Sequence, residues 1–299
     1  MAALLVLVHL VLLPFLAGQV AEARQLIVEK HSFGSFGGAY RILVTAQNWI
    51  YVLDRSENRI VLFRDGQTNP TTIGGYGWGS SSFDGPSGIA SDGLNLYISD
   101  YGNHRIQRFD RTLSFISSFS TRESENPQVR FGYPSGVDLS RQGDLLLLDG
   151  ENSRVLRFSP RSLFLGSFGD IEIRSRRLRR PLKIVASHTD RVYVLEPNRL
   201  IEYDHVGNFL RSIGEGELKS ATSVVLVGQS FIVIEPHSVS VFGDDGLPKR
   251  RIARDSLVVE QQVDEFADAA IVETEFYLLT RHRVHVFDLA DIVKRDKND

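Results

Sequence analysis

Short apolar runs recur along the chain at a nearly constant spacing, and each stops at a polar residue. Ile50–Asp54, Leu96–Asp100, Leu145–Asp149, Val192–Glu196, Phe231–Glu235 and Phe276–Thr280 form one series. A second series answers it a few residues later and ends on an aromatic: Arg59–Phe63, Arg105–Phe109, Arg154–Phe158, Arg199–Tyr203, Ser238–Phe242 and Arg283–Phe287. Runs of about five residues rich in Val, Ile, Tyr and Phe, separated by turn residues such as Ser56-Glu57-Asn58 and Tyr101-Gly102-Asn103, read as β-strands. An inner run precedes each pair (Gly88-Ile-Ala-Ser, Gly136-Val-Asp-Leu) and an outer run follows it (Leu113–Phe119, Leu163–Phe168). No segment shows apolar periodicity over the length of a helix.

The closing aromatics lie 46, 49, 45, 39 and 45 residues apart, so the pattern is a sixfold repeat of four strands. Four strands at this period make a propeller blade. A sheet that small cannot bury both faces by itself, so the units must pack radially. The predicted fold is all-β, a six-bladed β-propeller of four-stranded antiparallel blades. After Phe287 the sixth unit offers no outer strand, whereas Leu26–Phe36 does, with a Gly-Ser-Phe like that of residues 166–168. The N-terminal strand is therefore expected to complete the last blade and cover its open edge.

The first residues follow another pattern. Residues 2–17 are apolar apart from His9 and broken by Pro14, too short for a membrane span of about 20 residues. Ala21-Glu22-Ala23 is a small-x-small triplet of the kind a signal peptidase cuts after, although no Lys or Arg precedes the apolar run. Residues 1–23 read as a cleaved export leader and residues 24–299 as a single propeller domain, periplasmic or extracellular and monomeric. No later stretch is apolar and long enough to cross a bilayer.

Composition narrows the chemistry. The chain of 299 residues has no cysteine, which excludes disulfides, thiol catalysis, iron–sulfur clusters and cysteine zinc sites. The ring must then be held by blade packing and strand closure. A net charge of −3 lacks the basic excess of a dedicated nucleic-acid binder.

The units around Phe83-Asp-Gly-Pro86-Ser-Gly88-Ile, Asp100 and Asn103-His104-Arg105-Ile-Gln-Arg-Phe109, and around Phe131-Gly-Tyr-Pro134-Ser-Gly136-Val, Asp149, Asn152-Ser-Arg154-Val and Phe158, closely resemble NHL repeats. The likeness decays through units four to six, where Glu196 and Glu235 replace the aspartate and the Pro-x-Gly approach is lost. The resemblance implies a six-bladed propeller used mainly as a binding platform, with enzymes as a minority.

Asp54, Asp100, Asp149, Glu196 and Glu235 recur once per unit at one topological position, as strand-ending acceptors of backbone N–H groups in the following turn would. Arg59, Arg105, Arg154, Arg199 and Arg283 recur likewise, as partners of turn acids, and His104 reads as structural. Lyases that resemble this fold hold zinc with histidines beside the central channel. Here the matching inner-strand positions carry Arg41, Ser87, Ser135, Lys183, Ser223 and Asp268, and of the later histidines only His188 follows an inner strand. No catalytic residue, metal ligand or cofactor is assigned. Residues 74–86 are glycine-rich but lack the Lys-Ser/Thr of a phosphate loop and precede a strand. Tyr76 and Trp78 are large aromatics in a flexible loop, suited to anchoring a partner. Arg174, Arg176, Arg177, Arg179, Arg180 and Lys183 make a basic run, read as a solvated inter-blade loop or as a dock for an acidic partner or anionic polymer, nucleic acid being set aside by the export leader.

The expected function is an exported scaffold that binds a partner protein or extracellular polymer through Arg41, Tyr76, Trp78, Tyr133, Arg177, Arg179, Arg180 and Lys183. The alternative is a lyase or lactone-type hydrolase with a divalent metal in the channel. Mass analysis of the protein recovered from its native compartment should find an N-terminus at Arg24; a chain still beginning at Met1 contradicts the leader.

Overall fold

The computed structural model describes residues 26–64, 69–170, 176–261 and 263–294. The leader, residues 1–23, and Arg174 of the basic run lie outside the described residues. Six four-stranded antiparallel sheets stand around a central channel. Blade one is Ala39–Val44, Ile50–Asp54, Arg59–Phe63 and Thr71–Gly74, and blade two is Pro86–Ser91, Asn95–Asp100, Arg105–Asp110 and Phe115–Phe119. Blades three, four and five begin with inner strands Pro134–Leu139, Lys183–Ala186 and Ser223–Val227, and blade six with Phe266–Val272. The inner strands of successive blades lie against one another all the way round, the sixth against the first.

Burial explains the sequence pattern. Ile50–Asp54, Leu145–Asp149 and Ser238–Phe242 are buried at every position, because each has a strand on either side and a neighbouring blade over either face. They read as continuous apolar runs for that reason. Outer strands such as Phe115–Phe119 are mostly exposed. The core is thus a ring of inter-blade layers. Leu53 and Ile60 of blade one pack with Phe83, Ile98 and Phe109, and Leu279 and Val284 of blade six pack with Ile42 and Val52.

The ring closes as the pattern predicts: His31–Phe33 pairs antiparallel with Val284–Val286 as the outer strand of blade six. Two further contacts fasten this strand. Ile27–Val28 pairs in parallel with Leu257–Val258, a bridge toward blade five that the repeat pattern did not contain. The His285 ring meets the Glu29 carboxylate at 2.6 Å, with both side chains at most 2% exposed. Downstream of Phe287 the chain turns into a short helix, Leu289–Val293, whose Asp288 cap accepts the Ala290 N–H at 2.9 Å. Five residues are too few to show helical periodicity in a sequence. Arg250 of blade five donates to the Ile292 carbonyl at 3.2 Å, holding the helix away from the edge that the N-terminal strand occupies.

The repeated acids and arginines tie loops to blades. Asp54 accepts the N–H groups of Gly37 and Gly38, both at 2.9 Å, and pairs with Arg59 at 3.0 Å. Asp100 accepts the Asp84 N–H and pairs with Arg105, and Asp149 pairs with Arg154. Glu196 accepts the Arg180 N–H at 2.8 Å and pairs with Arg199. The principal amide donors come from the loop leading into the same blade more than from the following turn, where the sequence placed them; Asn152 N–H at 3.4 Å on Asp149 is a turn donor. Blade five takes its cation from the outer strand, Arg251 on Glu235, and blade six has Thr280 in the carboxylate's place.

Removing one member of a buried hydrogen-bonded pair leaves the other's polar group unsatisfied, at a cost of about 1–3 kcal/mol. His285→Ala should therefore lower the unfolding free energy, and with it the urea midpoint, by an amount of that order in free energy. Lys30→Ala, which breaks the exposed pair with Glu275, should change it little. Equal midpoints for the two variants would contradict a closure held by the buried pair.

Candidate binding face and channel

The antiparallel order places the inter-blade loops and the turns after the acid-bearing strands on one face, here the upper face. The remaining turns form the lower face. In register terms, Arg41, Lys183, Ser223 and Asp268 stand at one level of the inner strands, opposite Leu53, Leu195, Ile234 and Leu279. The same bulge opens the inner strands of blades one, two, three and six, so Gly88 and Gly136, not Ser87 and Ser135, are the counterparts of Arg41 and Asp268 at this level. A Cβ on Gly88 would sit 2.9 Å from the Gly136 Cα, so glycine is what lets these two strands approach. Ser87 instead donates to the Pro134 carbonyl at 2.7 Å, joining blades two and three.

This level plugs the channel. Arg41, only 3% exposed as a residue, donates from its guanidinium to the carbonyls of Leu182 (2.9 Å) and Thr222 (3.5 Å), and so reaches from blade one to blades four and five. Lys183 Nζ lies 2.6 Å from Asp268 and 2.9 Å from Ser223 Oγ, and the Ser223 hydroxyl also bonds Asp268. Asp268 accepts the Ile42 N–H at 3.0 Å, which links blade six to blade one. Burial pushes the Asp268 carboxyl up, but the Lys183 ammonium and Arg41 outweigh it and hold the group below its ordinary value. Burial lowers Lys183, with Asp268 opposing. With Asp268 held ionised and its carboxylate 2.6 Å from Nζ, the geometry favours the charged pair.

Below the plug, a cavity of about 370 Å³ extends toward the lower mouth, where Ser91, Ser187 and His188 stand. It is lined by aliphatic side chains and Asp138, with Arg41, Lys183 and Asp268 of the plug at its upper end. The Asp138 carboxylate accepts the Leu139 N–H at 2.8 Å and, across to blade four, the Ala186 N–H at 2.7 Å. Enclosure by protein pushes it up to about 6, against the pull of the two amides and of Lys183.

The upper face carries a continuous run of rings and guanidinium groups over blades one to three. Arg41 lies 4.0 Å from the Tyr40 ring centre, and Arg55 sits between Tyr40 (4.9 Å) and Tyr101 (5.3 Å). Tyr101 meets Tyr133 at 5.1 Å, and Tyr133 meets His104 at 4.2 Å. Burial, then the nearby Arg122 charge, lowers His104 below its ordinary value, so at neutral pH its Nδ1 is an acceptor for the Tyr133 N–H and for Arg122. Its structural assignment holds, with the task of tying blade two to the loop of blade three.

Tyr76 and Trp78 are 73% and 68% exposed. Their loop is not the flexible one expected. Arg105 donates to the carbonyls of Trp78, Gly79 and Ser82, Asn103 to Gly77, and Gln107 to Ser82, all within 2.9 Å. In the loop before blade four, Arg176, Arg177, Arg179 and Arg180 are exposed, while Leu178 is buried and the Arg177 carbonyl accepts from Arg199 at 2.8 Å. Backbone fixation with outward side chains is common to both loops.

The eight residues singled out in the sequence therefore fall into separate groups. Arg41 and Lys183 meet in the plug, where Arg41 is buried and Lys183 paired. Tyr76 and Trp78 share one upper loop, Arg177, Arg179 and Arg180 another, and Tyr133 joins the aromatic run. Tyr40, Arg55, Tyr101 and Arg122 were missed; only the tyrosine within the inner strand of blade one and the one just after Asp100 hinted at them. For a channel metal the donor set does not fit. Among the described residues no group of three or more histidine and carboxylate side chains could hold an ion, and the plug sets an ammonium and a guanidinium beside its one carboxylate.

Residues 83–109 and 131–158 match the NHL repeat family model, so blades two and three are NHL repeats. Over 147 residues the chain is 27% identical to Protein brain tumor of Drosophila melanogaster, a match covering 48% of this chain and 14% of that protein's length. Among solved structures, a streptogramin B lyase superposes with a TM-score of 0.60 at 11% identity, over 84% of this chain and 78% of that one. Virginiamycin B lyase from Staphylococcus aureus, solved with quinupristin, gives 0.61 at 13% identity over 84% and 80%. Hydrazine synthase of Kuenenia stuttgartiensis gives 0.63 at 14% identity over 86% and 78%. These likenesses are of fold alone.

Because Asp138 titrates near 6 in the folded protein and near 3.8 when unfolded, the unfolded chain holds fewer protons between those values. Stability from this group is therefore lost as pH rises through that window. Asp138→Asn should gain on the wild type by on the order of 1–3 kcal/mol between about pH 4 and about pH 7, read from urea melts. A pH-independent difference would contradict the enclosed carboxylate.

Proposed function

We propose that this NHL-repeat propeller is an exported, non-enzymatic scaffold that presents its upper face to a partner protein with an acidic surface. The observation that carries the reading is Tyr76 and Trp78, exposed on a loop whose backbone is fastened by five side-chain hydrogen bonds. Large aromatics on a backbone fixed before binding spare the loop-ordering cost of association and are the residue types that dominate interface energetics. Arg177, Arg179 and Arg180, on a similarly fixed loop, supply the cationic rim that speeds and orients docking. The plug supports a surface rather than a through-channel function on this face, since Arg41 closes the passage from above. A lyase or hydrolase reading needs converging metal donors, and the channel residues do not supply them.

Capture from the extracytoplasmic fraction of the source cell tests this. The Tyr76→Ala/Trp78→Ala double variant should lose at least about tenfold in affinity for the retained partner, and Arg177→Glu/Arg180→Glu should abolish capture at low salt. Equal capture by wild type and both variants overturns the proposal. Dependence on the arginines alone points instead to an anionic polymer.

A further inference from the structure

We propose that the lower half of the channel is a binding site for a small primary amine with an aliphatic body, its ammonium seated on Asp138. The cavity, at about 370 Å³, is large enough to be a small-molecule pocket. Leu43, Ile89, Val185, Val225, Leu226 and Ile271 contribute aliphatic walls. Its other charged groups are satisfied. Arg41 is spent on carbonyls, Lys183 on Asp268 and Ser223, and Asp268 on Lys183, Ser223 and two amides.

Asp138 differs. Asp54, Asp100, Asp149, Glu196, Glu235 and Asp268 each hold a lysine or arginine, whereas Asp138 accepts only two backbone N–H groups, one to each oxygen. The second lone pair of each oxygen is left for the lumen, to which the residue is partly exposed. An enclosed carboxylate with no directly bonded cation, beside aliphatic side chains, is complementary to an alkylammonium. It is unsuited to a carboxylate ligand, which would meet like charge. A bare metal ion would find too few oxygens.

Binding requires ionised Asp138. The titratable and charged groups around it are Lys183, Arg41 and Asp268 above and His188 at the mouth, and the amine should bind more weakly as pH falls below about 6.

Calorimetric titration of the purified protein with n-pentylammonium, 1-pentanol and pentanoate tests the assignment. Pentylammonium should bind saturably, with pentanol and pentanoate at least about tenfold weaker. Asp138→Asn should cost pentylammonium about tenfold or more while leaving pentanol unchanged, which also reports that the cavity is intact. Val225→Trp, which fills the well, should abolish binding of every probe, and Tyr76→Ala/Trp78→Ala should change none of them. If Asp138→Asn does not fold, wild-type affinity for pentylammonium should still fall by about tenfold per pH unit below about 6. No saturable binding, parity of pentanol with pentylammonium, or a flat pH profile overturns the proposal. Each of these outcomes is independent of whether the upper face captures a protein.

Discussion

Ring closure is the constraint on which the rest of this structure depends. A blade whose middle strands are buried on both faces is stable only between two neighbours, and the sixth blade meets that condition only if the first packs against it. With no cysteine in the chain, closure is noncovalent: strand His31–Phe33 on the last blade, the parallel bridge to Leu257–Val258, and the buried Glu29–His285 pair. Closing the ring brings residues more than 200 positions apart together around a channel. Contacts such as Asp268 to the Ile42 amide exist only in the closed state.

The repeated residues serve the scaffold, and the unrepeated ones are left for function. The acid–arginine pairs hold the upper loops in place blade after blade, which is why Asp100 and Arg105 can keep the Trp78 loop rigid while the indole faces solvent. Arg41, Lys183, Ser223 and Asp268 occur once each at one level and divide the channel from the upper face. Two chemically distinct zones result. Above the plug lie aromatics and guanidinium groups on fixed loops; below it lies a well of aliphatic side chains and Asp138, with Ser91, Ser187 and His188 at its mouth.

The sixfold period, the buried closing aromatics Phe109, Phe158, Tyr203, Phe242 and Phe287, and the strand that completes blade six were all legible in the sequence, because each follows from local apolar pattern or turn chemistry. What the sequence hid depends on one-residue geometry or long-range approach. The counterparts of Arg41 and Asp268 are Gly88 and Gly136, one residue past the Ser87 and Ser135 that the repeat pattern aligned with them, and a slip of one residue turns every side chain over. The run from Tyr40 through Arg55 and Tyr101 to Tyr133 joins residues far apart in sequence, so no local motif announces it. Asp138 resembles any strand aspartate until the neighbouring blade places the Ala186 amide on it.

The proposed binding on the upper face works through exposed side chains on loops whose backbone the repeat framework fastens. A photo-crosslinking amino acid placed at Trp78, and in a separate variant at Leu247, which is 59% exposed on the lower face, tests it in the source cell. The account predicts a discrete crosslinked species from position 78 and none from position 247. Crosslinks from position 247 alone, or equally from both, would contradict it.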